Sequence, residues 1–428
     1  MGGGKSKQKV KVPQLRFKLH DSKKVNIYKI FDCVTKEGVP PVTREFLQNS
    51  WKDILSPSLL ELIMNYLFRT SQSIKVDDLE VLYYKFVEGT FNERAQALVD
   101  ILGVENSISP DIFQAFLMDL MESYYIILRK KCPEAFSSWV SGDTIENNDV
   151  KLVINYYMRD LKGFDEKVTA QELREWLIRC VFLTDVYESV MKVTFNMEVE
   201  ELKPILPKAD KYSSMLTIPM VLSFSHLIYP YMKKNWRLLF SSLTDPQSWH
   251  RLCAKVAKQG PTIVLIEDEA GSLFGGFASQ SWKTSPNFYG DECSFLFRLR
   301  PHMALYSPTG YNQNFQYMNH GATTLPNGMG MGGRLDYFTF FLSEDFGPMT
   351  VSKSCSTFRD YAPLASTTNE FNFSKLEIWA IADPDVEDDE YVRVGGSIMD
   401  HDPSASAILE IAGKSIYSKD LKQSLDEA

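Results

Sequence analysis

His250, His302 and His320 are the groups in this 428-residue chain best suited to act as general bases. Ser294, Cys293, Cys355 and Asp336 supply the nucleophile and carboxylate types that would complete a hydrolytic site. Such a site is defined by convergence in space, and the sequence carries no GxSxG elbow or comparable local signature to bring these groups together. Taken singly, Cys293 and Cys355 stand among apolar or small residues and are expected as buried thiols. His302 belongs to the turn Arg300-Pro-His-Met303. Glu292, beside Asp291 and just ahead of an apolar run, is the acidic residue placed to anchor a loop through Arg298 or Arg334, and no second poised carboxylate accompanies it. The expectation is a protein with no catalytic residues, the alternative being an unrecognised hydrolase or redox activity.

Cofactor chemistry fares no better. The run Asn327-Gly-Met-Gly-Met-Gly-Gly333 spaces Gly328, Gly330 and Gly333 as GxGxxG, but a phosphate-cradling turn leaves a strand and opens a helix. Here Arg334 to Leu342 follows, aromatic and alternating, with Leu335, Tyr337, Thr339 and Phe341 on one face. The run is therefore expected as a glycine-rich loop entering a sheet, where missing side chains let backbone or an aromatic approach closely. Met329 and Met331 are then either contact-surface residues or packing. The six cysteines are scattered singly without a CxxC pair, which suits a reducing cytosol and argues against a structural zinc or disulfide framework. Six carboxylates lie between Asp383 and Glu390, without the glycine and spaced ligands of a calcium loop, so they read as a solvated acidic linker. No metal and no cofactor are expected.

The N-terminus does suggest a chemistry. Met1-Gly-Gly-Gly-Lys-Ser6 fits the pattern in which Gly2, exposed by loss of Met1, is acylated with myristate. Lys5, Lys7, Lys9, Lys11, Arg16 and Lys18 all precede the first acidic residue, Asp21. One acyl chain anchors only marginally, but each basic residue near an anionic leaflet adds about 1 kcal/mol, so the two signals together predict peripheral attachment to an anionic membrane surface. A net charge of −9 excludes a general nucleic-acid binder. No apolar run is long enough for a membrane span or shaped like a secretory signal.

Around these residues the chain divides by pattern. From about Val25 to Asn196 it reads as helices broken by short polar segments. Val42, Ile74, Ile108 and Val168 each stand just before a helix start. Thr169 with Glu172 forms a capping box, and Ser109-Pro110 an N-cap with a first-turn proline. A β-branched residue there resembles the eighth position of an EF-hand loop, where paired loops form a short ladder. The ligand positions do not follow: the Val168 loop would offer Leu161, Gly163, Asp165 and Glu172, and the Ile74 loop Leu67, Arg69, Ser71 and Asp78. These units are expected as calcium-free scaffolding. Prolines mark a linker at 202–213. Beyond it, Thr262–Asp268 and Leu273–Ser279 flank a hairpin turn, further runs begin at Cys293, Tyr337 and Lys375, and the alternation indicates an antiparallel sandwich. Asp245-Pro246 opens a helix through Trp249, Cys253 and Val256. After Asp402-Pro403, Ala405, Ile408, Ile411, Ala412 and Ile416 fall on one face of a final helix, a partner-binding surface or a contact with its own sandwich.

Five separated motifs now point one way. Trp236-Arg-Leu-Leu-Phe-Ser241, Phe274-Gly-Gly-Phe-Ala-Ser279 with Trp282, Gly290 to Phe297, Asn327 to Gly333 and Leu376-Glu-Ile-Trp-Ala380 occur in the order seen in TLDc domains. The resemblance covers roughly 214–384. With the myristoylation start, the helical half and the tail Ser397 to Ile411, the chain resembles the MTOR-associated, EAK-type members of the TLDc family over nearly its whole length. The resemblance implies a β-sandwich flanked by helices, oxidative-stress resistance, binding to the V-ATPase, and a lysosome-associated role in MTOR pathway, nutrient and growth signalling. It brings no catalytic residues. The expected organisation is an α+β multidomain chain: a myristoylated basic segment at 1–24, an all-α EF-hand-like domain at 25–201, the linker at 202–213 and the TLDc antiparallel β-sandwich at 214–384. An acidic linker at 385–401 and a C-terminal helix and tail at 402–428 complete it. A monomer is expected on the cytosolic face of the lysosomal membrane, with a cytoplasmic pool.

Overall fold

The structure is a computed structural model that describes residues 19–103, 106–140, 147–161, 167–228, 234–365 and 369–384. The mixed α/β chain is helical in its N-terminal part and sheet-rich in its C-terminal part.

Capping and periodicity account for the helices. Pro57–Leu67 starts where the Ser56 hydroxyl accepts from the Leu59 N–H, with proline in its first turn. Pro110–Lys131, with Ser109 at its N-cap, buries Phe113, Phe116, Leu117, Leu120 and Tyr124 at helical spacing. Ala170–Arg179 opens on the expected capping box: the Glu172 carboxylate accepts from the Thr169 N–H at 2.9 Å, and the Thr169 hydroxyl accepts from the Glu172 N–H. The first described helix, Asp21–Tyr28, starts slightly ahead of the pattern's onset near Val25. The four β-branched residues meet in pairs: Val42 opposes Ile74, and Ile108 opposes Val168, each in a two-residue antiparallel ladder.

Two sheets form the second half among the described residues. The larger runs in the order Ala304–Tyr306, Phe295–Arg300, Leu273–Ala278, Thr262–Asp268, Phe373–Ala380, Asn235–Ser241 and Lys208–Ala209, antiparallel except at the last pair. The smaller runs Gln316–Asn319, Gly328–Arg334, Tyr337–Ser343, Met349–Val351 and Glu370–Phe371. The hairpin expected between Thr262 and Ala278 forms, with Gly271 in the left-handed region at φ +83° where glycine carries no Cβ penalty.

Because successive side chains point to opposite faces, the central strand Thr262–Asp268 serves two cores. Ile263 and Leu265 join the core that continues into the helical half, while Val264 and Ile266 join Met329, Met331, Phe340 and Leu342 of the smaller sheet. Helices of the N-terminal half therefore share a core with one face of the larger sheet, and the smaller sheet together with the helix Trp249–Val256 shares a core with the other. Phe224 of the helix Ile218–Leu227 meets Phe297 edge-on at 4.7 Å between ring centroids.

Two expectations change here, and one open alternative is decided. The segment 202–213 is packed between the two halves: Leu202, Leu206 and Ala209 are buried, Lys208–Ala209 pairs with Asn235–Trp236, and the Trp139 indole donates to the Pro207 carbonyl at 2.6 Å. The glycine run is itself a strand, paired on both sides, rather than a loop. A Cβ at Gly328 would stand 2.5 Å from the Phe341 ring, so the close approach of an aromatic is real even though the loop is not. Met329 and Met331 are buried, which makes them packing residues and not a contact surface.

Candidate functional site

Gly2, Lys5, Lys7, Lys9, Lys11, Arg16 and Lys18 lie outside the described residues, as do Ala405, Ile408, Ile411, Ala412 and Ile416. The catalytic-type residues lie inside them. His250, His302, His320 and Asp336 are exposed. Ser294 is buried, and its hydroxyl pairs with that of Ser279 at 2.8 Å. Cys355 is half-buried against the Thr339 hydroxyl at 2.8 Å, whereas Cys293, expected inside, is exposed. Glu292 is exposed too, and its neighbour Asp291 is the loop anchor, accepting from the Ser279 hydroxyl at 2.7 Å and the Cys293 N–H at 2.9 Å. Burial pushes the Asp291 carboxyl up, but these hydrogen bonds prevail and hold it below the usual range. Arg298 instead donates to the carbonyls of His302 and Pro363.

The ladder loops spend their carboxylates on helix starts. Asp78 accepts from the Lys75 N–H at 2.9 Å, and Glu172 from both the N–H and the hydroxyl of Thr169. In the other two loops the residue at the same offset is Phe46 or Ile112, which offers no oxygen. Among the described residues no group of three or more His, Cys, Asp or Glu is placed to hold a metal ion. None of the described helices is long and apolar enough to cross a membrane.

The motif residues of the sheet half are internal. Trp236, Phe274, Trp282, Met331 and Trp379 are all essentially inaccessible to solvent. Two of them build the junction with the helices: Trp139 packs against Trp236 at 5.7 Å and Trp379 at 5.3 Å between ring centroids. Beside them Glu377 is buried, its two oxygens accepting from the Ser213 hydroxyl at 2.7 Å, the Ser214 N–H at 2.9 Å, the Ser214 hydroxyl at 2.8 Å and the Trp379 indole at 2.9 Å. A buried carboxylate is tolerated because charge-assisted bonds replace its lost hydration. These residues make the fold, and they offer nothing to a partner.

A large accessible concave surface lies on the helical half. A cleft of about 1010 Å³ opens between the helix Asp21–Tyr28, the helix Val181–Thr194 and the segment 197–203. Glu188 accepts from Arg94 at 2.6 Å and from Lys192 at 2.9 Å. Burial raises its pKa, yet the two bonds and their charges win and hold it low. Asp185 differs: burial, then the like charge of Glu188, pushes it up against the opposing charges of Lys203 and Lys192, and the His226 ring stands 3.9 Å from it. Burial pushes that imidazole down, towards its neutral form. A second cavity of about 680 Å³ shares Val199, Glu200 and Glu201 with the first and reaches Cys132 and Lys234. Sequence reasoning missed both cavities, because their walls come from segments far apart in the chain.

Comparison with known proteins matches residues 210–382 to the TLDc domain. The MTOR-associated protein MEAK7 of Xenopus laevis is 30% identical over 388 residues, which span 83% of this chain and 82% of that protein. The chain belongs to the TLDc-domain family. The human MTOR-associated protein MEAK7 is 27% identical to this TLDc protein over 438 residues, covering 94% of this chain and 95% of its own length. The human nuclear receptor coactivator 7 is 27% identical over 55% of this chain but only 23% of its own length. The five motifs that carried the resemblance fall within the matched domain, where their bulky residues are core.

Proposed function

We propose that this TLDc protein is a non-enzymatic, membrane-anchored adaptor on the cytosolic face of lysosomes that binds the V-ATPase and acts in MTOR-linked nutrient and stress signalling. What carries the reading is the likeness, over more than four-fifths of both chains, to a relative named as MTOR-associated. The acylation pattern at Gly2 and the six basic residues that follow support the anchor. The bonding of Ser294 to Ser279 and the exposure of the histidines support a protein without catalytic residues. In this reading the paired ladders belong to metal-free, EF-hand-like scaffolding, the two sheets are the β-sandwich of a monomer, and the terminal helix from Asp402 engages the pump.

Gly2→Ala should release the protein from membranes to the soluble fraction, and unchanged fractionation would remove the anchor. Affinity capture from solubilised membranes, read by mass spectrometry, should recover pump subunits with the full chain and fewer with a chain ending at His401. Equal recovery would return the terminal helix to an intramolecular role.

A further inference from the structure

The cleft on the helical half is short of cations. Its walls carry Glu88, Asp185, Glu188, Glu198, Glu200 and Glu201 against Lys23, Lys29, Lys192 and Lys203. Glu88 is bonded to Lys23, Glu188 to Lys192 and Arg94, and Glu201 to Lys234. Glu198 and Glu200 stand exposed on the rim and make no ion pair among the described residues. Asp185, about three-quarters buried on the wall, lies 3.9 Å from the His226 ring, whose protonated form burial disfavours, and feels the charges of Lys203 and Lys192 from further off. A cationic occupant would find Glu198 and Glu200 without an ion pair among the described residues, with Asp185 behind them.

The chain supplies such an occupant next door. Leu19 is buried in the core, and the helix that follows it contributes Ser22, Lys23, Asn26 and Lys29 to the cleft. From Lys11 to Ser22 on that wall the chain runs eleven residues, roughly 38 Å at full extension, which is ample to reach back across the cleft. The segment Lys5-Ser-Lys-Gln-Lys-Val-Lys11 has a lysine at every second position. In an extended strand alternate side chains share a face, so these lysines would line one edge about 6.6 Å apart. Glu198 and Glu200 repeat the same alternation with the opposite charge. Single exposed ion pairs are weak, but a short tether holds the segment at an effective concentration on the order of millimolar, which lets several weak pairs act together.

We propose that this cleft is the docking site of the chain's own basic segment Lys5–Lys11, held extended with its lysines on Glu198, Glu200 and Asp185. The same lysines then cannot meet anionic lipid, so docking and membrane attachment are alternative uses of one set of charges. That consequence rests on the anchoring reading above; the docking does not.

The test uses the full chain, unacylated, mixed with a heavy-isotope copy and treated with a zero-length carbodiimide. At about 50 mM salt, amide links should form within single chains from Lys5–Lys11 to Glu198, Glu200 and Glu201, and they should fade near 500 mM, where screening shortens to a few ångströms. In Glu198→Gln/Glu200→Gln the remaining links to Glu201 should drop about fivefold or more, since the rim charges that hold the segment are gone. Links running to 383–390 instead, links found only between light and heavy chains, or links to Glu201 untouched by the double variant would each overturn the docking. Sedimentation of the Gly2-myristoylated chain and its Glu198→Gln/Glu200→Gln variant with phosphatidylserine vesicles separates the two readings. Tighter vesicle binding by the double variant supports the competition, whereas intrachain links with no vesicle binding by either protein leave the docking standing and remove the anchor.

Discussion

Carboxylates in the sheet half and the helical half are held in opposite ways. Glu377, Asp268 and Asp291 are each engaged by local donors: four for Glu377, the N–H groups of Ala270 and Ser272 for Asp268, and Ser279 with Cys293 for Asp291. These groups close turns and clamp the junction. Around the helical cleft, Glu198 and Glu200 make no ion pair among the described residues, and Asp185 has the His226 ring at 3.9 Å and Lys192 and Lys203 only at longer range. The motifs of the sheet half are therefore occupied with its own architecture, while the helical half, poorer in motifs, carries a cleft whose rim carboxylates Glu198 and Glu200 are free of ion pairs among the described residues. A motif shared across a family need not mark where a protein touches anything; it can mark what the core cannot give up.

That contrast can be broken at its strongest point first. A Cβ on Gly275 would sit 1.8 Å from the Val264 carbonyl oxygen, which is backbone, whereas one on Gly276 would meet the flexible Met331 sulfur at 2.4 Å. Gly275→Ala should cost about 3 kcal/mol or more and Gly276→Ala about 1 kcal/mol, read as midpoints of urea unfolding. Equal tolerance at both positions would mean that the strand is not the rigid element described. Next, Glu377→Ala should cost about 3 kcal/mol by stranding buried donors, with Glu377→Gln restoring part of it. If the alanine variant unfolds at the wild-type midpoint, the junction is not clamped by this carboxylate.

On the helical side the effects are smaller. Glu188 is held below the usual carboxylate range, so its stabilisation is present above its unfolded pKa of about 4.3 and is lost as pH falls through the depressed folded value. Arg94→Met should lower stability by about 1–2 kcal/mol at neutral pH and flatten that acid limb, followed by circular dichroism from pH 7 downward. An acid limb identical in both proteins would assign the sensitivity to other groups. Smallest of all, Thr169→Ala should cost about 1 kcal/mol through the lost cap of Ala170–Arg179. A loss several times larger would make this ladder loop a structural keystone and weaken the contrast between the halves.

The parts legible beforehand share a local cause. The hairpin of Thr262–Ala278, the capping box at Thr169 and the β-branched residue ahead of each of four helix starts depend on turn chemistry, hydrogen bonds a few residues apart and a repeated offset, whereas which of the four oppose one another came from the structure. The misreadings depend on distant partners. Gly328–Arg334 alternates glycine with methionine at strand period, yet glycine's poor strand propensity argues for a loop; the rings of Phe338 and Phe341 over the bare positions compensate for it. Asp291 rather than Glu292 anchors its loop because Ser279, on a neighbouring segment, stands where only one of the two carboxylates can reach it. Cys293 lies in the turn ahead of the strand that begins at Phe295 and is exposed, while Ser294 beside it turns inward to the Ser279 hydroxyl.

By itself, then, the sequence determined the family, the division into a helical half followed by a strand-rich half, the β-branched residue ahead of four helix starts and the charge pattern of the N-terminal segment. Each of these is written in near-neighbour spacing and composition. Tertiary structure alone decided that the five motifs are core, that 202–213 joins the halves instead of separating them, and that a cleft forms from residues 22–29, 83–88 and 185–203. Burial and concavity are properties of surfaces brought together from distant parts of the chain. No local pattern of residue types encodes which surfaces will meet.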